Sequence, residues 1–395
     1  MTNSETLKTI VHITGVAAKH WNDFDVTSPG GVPFAGYVCM QESDYLGTLA
    51  ITRIAGHERL EIIPAMPKIH YPYVRDERAG LTRVVVPLPI NVVDARFTRK
   101  LDGTAVIFYA LPDEEGAPLE VIPRTRLQPV LRASRWGDWP ALLDQVMPDR
   151  TPIERAVREQ KFTLCFELWG YRNPHLVQYD VPLAFTLHTA VRYRPGRLAS
   201  YRILQDLAQR YGFDLVPSIR VERPDAEALA AAYRALQEQL EARNRAAGPD
   251  TFVEEGAVLV ISTRDTAVYY KCKPPSIEEI HFAAGGGISK EIIRQALLKM
   301  AERDYDFATG RVEDLEAELS KDFDSRYVES QQELIRRVWL EFIVELQQRD
   351  WLRELVEQSG LDPRTQTTEL MRHLSQHYPR QRMKWVYSTV KILYG

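Results

Sequence analysis

A lysine acts as a nucleophile only when its amine is neutral and accessible, and burial or neighbouring cations bring its pKa towards that condition. Lys100 is placed for such work. In Phe97-Thr98-Arg99-Lys100-Leu101-Asp102-Gly103-Thr104 it stands at a strand–turn junction leading into the apolar strand Ala105–Tyr109. Three later segments offer complementary parts. Phe166-Glu167-Leu168-Trp169-Gly170 puts a carboxylate inside an apolar strand, and Glu254-Glu255-Gly256-Ala257-Val258 puts acids just before another. Tyr269-Tyr270-Lys271-Cys272-Lys273 alternates two lysines along a strand, so both side chains leave the same face. Buried carboxylates and strand lysines need partners, and a nucleotide with its divalent metal would supply them. A nucleophile, acids for a cation and cations around phosphates are the parts of phosphoryl chemistry on a nucleotide.

The elements that must position these residues fall into two stretches. From about residue 8 to 270 the pattern is mainly strand-like, with short β-branched or aromatic segments bounded by Gly, Pro or Asp, such as Gly47–Ile54, Leu60–Pro64, Arg83–Leu88 and Thr104–Tyr109. Ala105–Tyr109, Phe162–Leu168 and Ala257–Ile261 scarcely alternate and read as interior strands. One helix is expected over Asp225–Ala246, where Leu229, Ala232, Tyr233, Leu236 and Leu240 recur at helical steps and Gly248 follows. After Gly285-Gly286-Gly287 the pattern becomes helical: Lys290–Glu302 with Ser289 as its N-cap, then Val312–Phe323, Ser330–Gln358, and a last helix or two beyond Gly360 and Pro363. The triple glycine is the expected domain boundary, dividing 1–285 from 286–395.

Composition narrows the class. Lys plus Arg number 50 against 54 Asp plus Glu, a formal charge of −4, so any polyanion must be held by a local basic site rather than by bulk charge. The 3 cysteines are far apart and form no ligand cluster with histidine, which supports neither a disulfide framework nor a structural zinc. No apolar run approaches the ~18 residues of a membrane span, and the first residues lack the pattern of a signal peptide. The expected setting is cytoplasmic, with no membrane partner.

Taken in order, KLDG at Lys100–Gly103, FELWG at Phe166–Gly170, EGAV at Glu255–Val258 and KCK at Lys271–Lys273 make the chain resemble the covalent nucleotidyltransferases, the ATP-dependent DNA and RNA ligases and mRNA capping enzymes. The resemblance covers about residues 45–275. It implies an α+β fold: a nucleotidyltransferase (adenylyltransferase) domain of antiparallel sheets with flanking helices, followed here by a smaller all-helical C-terminal domain. It implies that Lys100 attacks the α-phosphate of ATP and carries AMP as a phosphoramidate. Asp102, Gly103 and Glu167 would lie around the ribose and the metal, Glu255 would bind Mg2+ (Mn2+ being the alternative), and Lys271 and Lys273 would hold the α-phosphate. An aromatic residue between FELWG and EGAV would stack on adenine, and Phe185 is the candidate. A basic residue after the nucleophile is offered by Arg124 or Arg126.

The flanks choose the branch. DNA ligases and capping enzymes follow the lysine-rich strand with a small β-barrel, whereas residues 289–395 carry helical patterning. That tail is similar to the bacteriophage RNA ligase 1 group, which repairs cut tRNA. In the same group, cations ahead of the nucleophile orient the ATP β- and γ-phosphates; Arg53 and Lys68 are the matching positions, although the aromatic pair is replaced by His70-Tyr71. The expected partners are RNA ends, cleaved tRNA among them, with the oligomeric state left open. A DNA ligase, a capping guanylyltransferase and a non-catalytic RNA- or nucleotide-binding relative are the competing readings. The stretch Met371–Gly395 has Arg372, Arg380, Arg382, Lys384 and Lys391, no acid, and four aromatic residues, Tyr378, Trp385, Tyr387 and Tyr394. It reads either as a grip for phosphates and unpaired bases or as a packed terminal helix with a solvated basic face.

Overall fold

The computed structural model describes residues 3–394 except 42, 77–80, 114, 134–137, 174, 176, 194–196, 249–251, 275–276, 278–287, 289, 322–327 and 330. After helix α1 (Asn3–Thr14), strands β1 (Trp21–Thr27), β2 (Pro33–Cys39), β3 (Leu49–Ile54) and β4 (His57–Ile63) form an antiparallel meander. A two-stranded ribbon, β5 (Tyr73–Asp76) and β6 (Leu81–Val84), follows. Then come β7 (Asp94–Arg99), β8 (Gly103–Pro112) and β9 (Pro118–Arg124), helices α2 (Trp139–Val146) and α3 (Thr151–Gln160), β10 (Phe162–Trp169) and β11 (Ala184–Arg192). Helix α4 (Tyr201–Tyr211), β12 (Ser218–Arg220), helix α5 (Ala226–Ala247), β13 (Ala257–Ser262) and β14 (Ala267–Cys272) complete the strand-rich part.

Two four-stranded antiparallel sheets carry the motifs, one ordered β11-β10-β8-β9 and the other β12-β7-β13-β14. The interior strands read from the sequence are the central ones: β8 and β10 are buried along nearly their whole length, and their run of Val, Ile, Phe and Leu without alternation is what a strand covered on both faces requires. This is the α+β class expected, antiparallel sheets with flanking helices. The chain divides into two compact units. The first holds residues 1–132, 143–170 and 174–274, and the second holds 133–142, 171–173 and 275–395.

In the second unit the helices are α6 (Lys290–Glu302), α7 (Val312–Leu319), α8 (Gln332–Ser359), α9 (Thr367–Leu374) and α10 (Met383–Tyr394). Ile293, Leu297, Leu315, Ile335, Val338 and Phe342 make one core, and Leu352, Leu370, Leu374 and Val386 a second. The glycines 285–287, Ser289 and the expected ends of two helices at Phe323 and Ser330 lie outside the described residues. Among the described residues no helix is long and apolar enough to cross a membrane.

Two motif glycines are explained by close backbone approach. Gly103 pairs with Trp169 across β8–β10, and a Cβ on it would stand 2.2 Å from the Leu168 carbonyl oxygen. Gly256 has φ +149°, and its Cβ would stand 2.5 Å from the Cys272 carbonyl oxygen. Backbone on both sides leaves nothing flexible to yield. Gly103→Ala and Gly256→Ala are each expected to lower the unfolding free energy by about 2–3 kcal/mol. Urea unfolding checks this, and unchanged midpoints would show that these strands can slide apart.

Candidate active site

The four motifs meet inside the first unit because of strand register. The β7–β13 ladder pairs Arg99 with Ala257, and one residue further the Lys100 N–H donates to the Gly256 carbonyl at 2.9 Å. Lys100 therefore lies beside Glu255. Next to it, the β13–β14 ladder pairs Ala257 with Cys272, which brings Lys273 to the other side of the same acid. One carboxylate oxygen of Glu255 takes the Lys100 ammonium, and the other takes Lys273 at 2.8 Å. Glu255 and Lys273 are each 5% exposed, so water screens this bridge little.

Helix α5 braces the strand ends that carry these groups. Tyr233 donates its hydroxyl to the Lys271 carbonyl at 2.8 Å, and Gln237 donates to the Lys273 carbonyl at 2.7 Å. Asn244, 3% exposed, accepts from the Val253 and Glu254 N–H groups and donates to the Glu254 carbonyl. The helix itself starts where Asp225 caps the Ala228 N–H.

Glu167, on β10, points at the same place. Burial pushes its carboxyl up, Lys100 pulls it back in part, and repulsion from Glu255 and Asp102 leaves it pushed up to about 8. Asp102 is likewise raised by burial and by Glu255. Its Oδ2 accepts from the Val177 N–H at 2.7 Å, while its own N–H donates to the Tyr179 hydroxyl at 2.8 Å. Tyr179 also packs its ring against Trp169, with centroids 4.7 Å apart. His175 puts Nε2 3.3 Å from the Thr104 hydroxyl and tempers the rise of Asp102.

Charge in the site is unbalanced. Burial would lower Lys100, but Glu255, Glu167 and Asp102 together leave its pKa raised. Burial would raise Glu255, yet Lys100 and Lys273 hold it well below the usual carboxylate range. Lys271 is pushed down to about 7 by burial and by the crowd of Lys100, Lys273, Arg126 and Lys68. Of the three carboxyls described here Glu255 is the one held low, and the gathering of Lys100, Lys271, Lys273 and Arg126 suits a polyphosphate.

Two proposed contacts are corrected. Phe185, the candidate for stacking on adenine, lies on the face of its sheet opposite Glu167. It pairs with Leu168, is 5% exposed and stacks on Phe166 with centroids 4.7 Å apart. Arg124 is fully buried under Tyr109, 5.6 Å from its ring centroid, and donates to the carbonyls of Arg126 and Gln128. It is Arg126 whose charge acts on Glu167, His188 and Lys271. Arg53 is exposed and paired with Asp25 at 2.6 Å, whereas Lys68 belongs to the crowd around Lys271. The Lys68 segment reaches the site by backbone: the Lys271 N–H donates to the His70 carbonyl at 2.9 Å, and the Tyr71 ring lies 5.6 Å from Lys271 Nζ.

Among the described residues no three Asp, Glu, His or Cys side chains converge to chelate a cation by themselves. The donor set fits an ion of the Mg2+ kind, which commonly takes one or two carboxylates and completes its shell with phosphate oxygens and water.

No family model matches the sequence, and no curated protein matches it. Solved structures do. An archaeal ATP-dependent RNA ligase is similar over 94% of this chain and 90% of its own, at 16% identity and a TM-score of 0.46. An assigned ATP-dependent DNA ligase from Aquifex aeolicus is similar over 95% and 89%, at 13% identity and a TM-score of 0.45. A mutant RNA ligase from Naegleria gruberi, solved with ATP and Mn, is similar over 70% and 82%, at 12% identity and a TM-score of 0.34. Likenesses this distant leave function to be argued from the side chains themselves.

Tyr179, Arg126, His188 and the α5 clamp are the parts that motif spacing misses. Arg126 stood beside Arg124 as an open choice, while Tyr179, His188 and Asn244 belong to no motif and come together only through folding. The two lysines of β14 should respond differently to loss of charge. Lys273→Met strips a buried carboxylate of one partner and is expected to cost about 3 kcal/mol of stability. Lys271→Met relieves like-charge crowding and should leave stability unchanged or raise it. Thermal and urea unfolding of both variants decide this, and equal losses would contradict the charge balance described.

Proposed function

We propose that the chain is a covalent nucleotidyltransferase, an ATP-dependent RNA ligase that joins 3′-hydroxyl to 5′-phosphate ends. The observation that carries this reading is the buried bridge of Lys100 and Lys273 on one carboxylate, Glu255, with Lys271, Glu167 and Asp102 around it. A structural salt bridge needs one cation for one acid. An extra pair of cations, Lys271 and Arg126, held beside it at a cost in burial and repulsion, fits a phosphate chain that arrives later.

In this reading Lys100 Nζ, after losing its proton, forms a bond to the α-phosphorus of ATP while the bond to the β-phosphate oxygen breaks and pyrophosphate leaves. Proton loss belongs to the nucleotide-bound state, since Glu255 holds the ammonium in the free protein. AMP then passes from Lys100 to the RNA 5′-phosphate, and finally the RNA 3′-hydroxyl attacks that phosphate and AMP leaves. Lys271, Lys273 and Arg126 neutralise developing charge on the phosphates. Glu167 accepts hydrogen bonds from the ribose hydroxyls, and Asp102 holds the turn after the nucleophile. A divalent metal on Glu255, with Glu167 and Asp102 nearby, would supply further charge neutralisation of the triphosphate.

The second unit supports RNA as the polynucleotide. Arg372, Arg380, Arg382, Lys384 and Lys391 are all exposed on and around α9 and α10, whereas Tyr378 is buried and Trp385 and Tyr394 pack on that unit's core. Of the aromatics only Tyr387, 50% exposed, is free to stack on a base. The face therefore suits phosphate contact more than base stacking. Repair of cleaved tRNA is the role that the resemblance implies.

Incubation with Mg2+ and α-labelled ATP or GTP, followed by denaturing electrophoresis, tests the reading. Wild-type protein should retain label from ATP, and Lys100→Ala should retain none. Glu255→Ala should reduce labelling by at least about 100-fold. Label from GTP alone would point to capping, and no label on folded protein freed of prior AMP would remove the mechanism.

A further inference from the structure

His188 is a second buried group aimed at Glu167. In a regular strand neighbouring side chains point to opposite faces. Here the β10–β11 register slips between Cys165 and Phe166, which pair with Thr189 and Leu187, so His188 is the extra residue of a bulge. The bulge lets His188 and Thr189 share a side, and His188 Nδ1 lies 3.0 Å from the Thr189 hydroxyl. The other ring nitrogen, Nε2, is buried without a hydrogen-bond partner and lies 3.5 Å from Glu167 Oε2. Arg126 and Lys100 bear on the same imidazole, which places it in the site rather than behind it.

We propose that His188 is a positioning residue: through Nε2 it fixes the Glu167 carboxyl, and so sets the preference for a ribonucleotide over a deoxyribonucleotide. The proposal rests on the reading of Glu167 as the ribose contact. Thr189 engages Nδ1, so Nε2 is left for Glu167, and either partner can carry the shared hydrogen. A carboxyl held from one oxygen presents the other in a set direction, which is what reading a hydroxyl pair demands. With His188 gone, Glu167 keeps its burial but loses its orientation.

The test uses the full chain, freed of prior AMP with pyrophosphate, in single-turnover labelling with α-labelled ATP, 2′-deoxy-ATP and 3′-deoxy-ATP. Wild type should prefer ATP to at least one deoxy analogue. His188→Ala should cut that ratio by about 10-fold, in line with loss of one polar contact to an ionisable group. His188→Gln, whose side-chain amide can replace Nε2, should restore most of it. A ratio unchanged in His188→Ala, with all three nucleotides slowed alike, would make His188 a core residue and overturn the proposal. So would a wild type that labels from ATP and deoxy-ATP equally. Absence of any labelling in wild type would instead remove the nucleotidyltransferase reading. If His188→Ala does not fold, the ratio in His188→Gln decides: retention supports the role and collapse to the same value for all three nucleotides overturns it.

Discussion

A carboxylate that is 5% exposed cannot stay ionised without partners, and Glu255 has two, Lys100 and Lys273. Much of the first unit follows from bringing those three residues together. β13 must lie between β7 and β14, because Lys100 follows the first of these and Lys273 follows the last. The backbones must approach closely, and glycine stands at 256 where a Cβ would meet the Cys272 carbonyl. Strand ends fray unless tied, so α5 runs alongside and spends Tyr233, Gln237 and Asn244 on their peptide groups. Hydrogen bonds to backbone rather than to side chains suit that task, since they fix the geometry while leaving the charged groups free to exchange partners when a ligand arrives.

The electrostatics have a direction. Lys271 and Lys273 are both lowered first by burial, yet only Lys273 has an acid in contact. Glu167 is pushed up to about 8 by burial and by Glu255, so near neutral pH it is mostly protonated and offsets little of the cationic charge. The net result is a buried region short of negative charge. Folding alone gains nothing from that shortage; it lowers stability through repulsion and desolvation, and such a cost is characteristic of functional sites.

Much of this was legible in the chain. The alternation in Tyr269–Lys273, the carboxylate inside Phe166–Gly170 and the acid before Ala257–Ile261 each reported a strand with a polar purpose, and those strands are where the spacing put them. The expected helix over Asp225–Ala246 is α5, with Asp225 as its cap. Two aspects were not legible. Which face of a strand a residue occupies depends on register and bulges. Phe185 met the requirement of type and position for a stacking residue yet pairs with Leu168 on the core side. Where a long side chain turns is equally hidden. Arg124 and Arg126 leave the chain two residues apart, and only the Tyr109 ring and the carbonyls of Arg126 and Gln128 decide that Arg124 turns inward.

Arg124 and His188 show the same physical rule at different places. Arg124 keeps Nε and Nη2 without hydrogen-bond partners while its Nη1 holds the peptide groups that shape the Arg126 turn. A fully buried guanidinium is an expensive way to hold a turn when a small polar side chain would serve, unless the cation has a second effect. Arg124 also repels Arg126, whose own charge bears on Glu167 and His188. A site built this way is tuned by groups that never touch its contents, and no motif of spaced residues can report them. Their signature is structural: a bulge in one case, an arginine packed on a ring in the other.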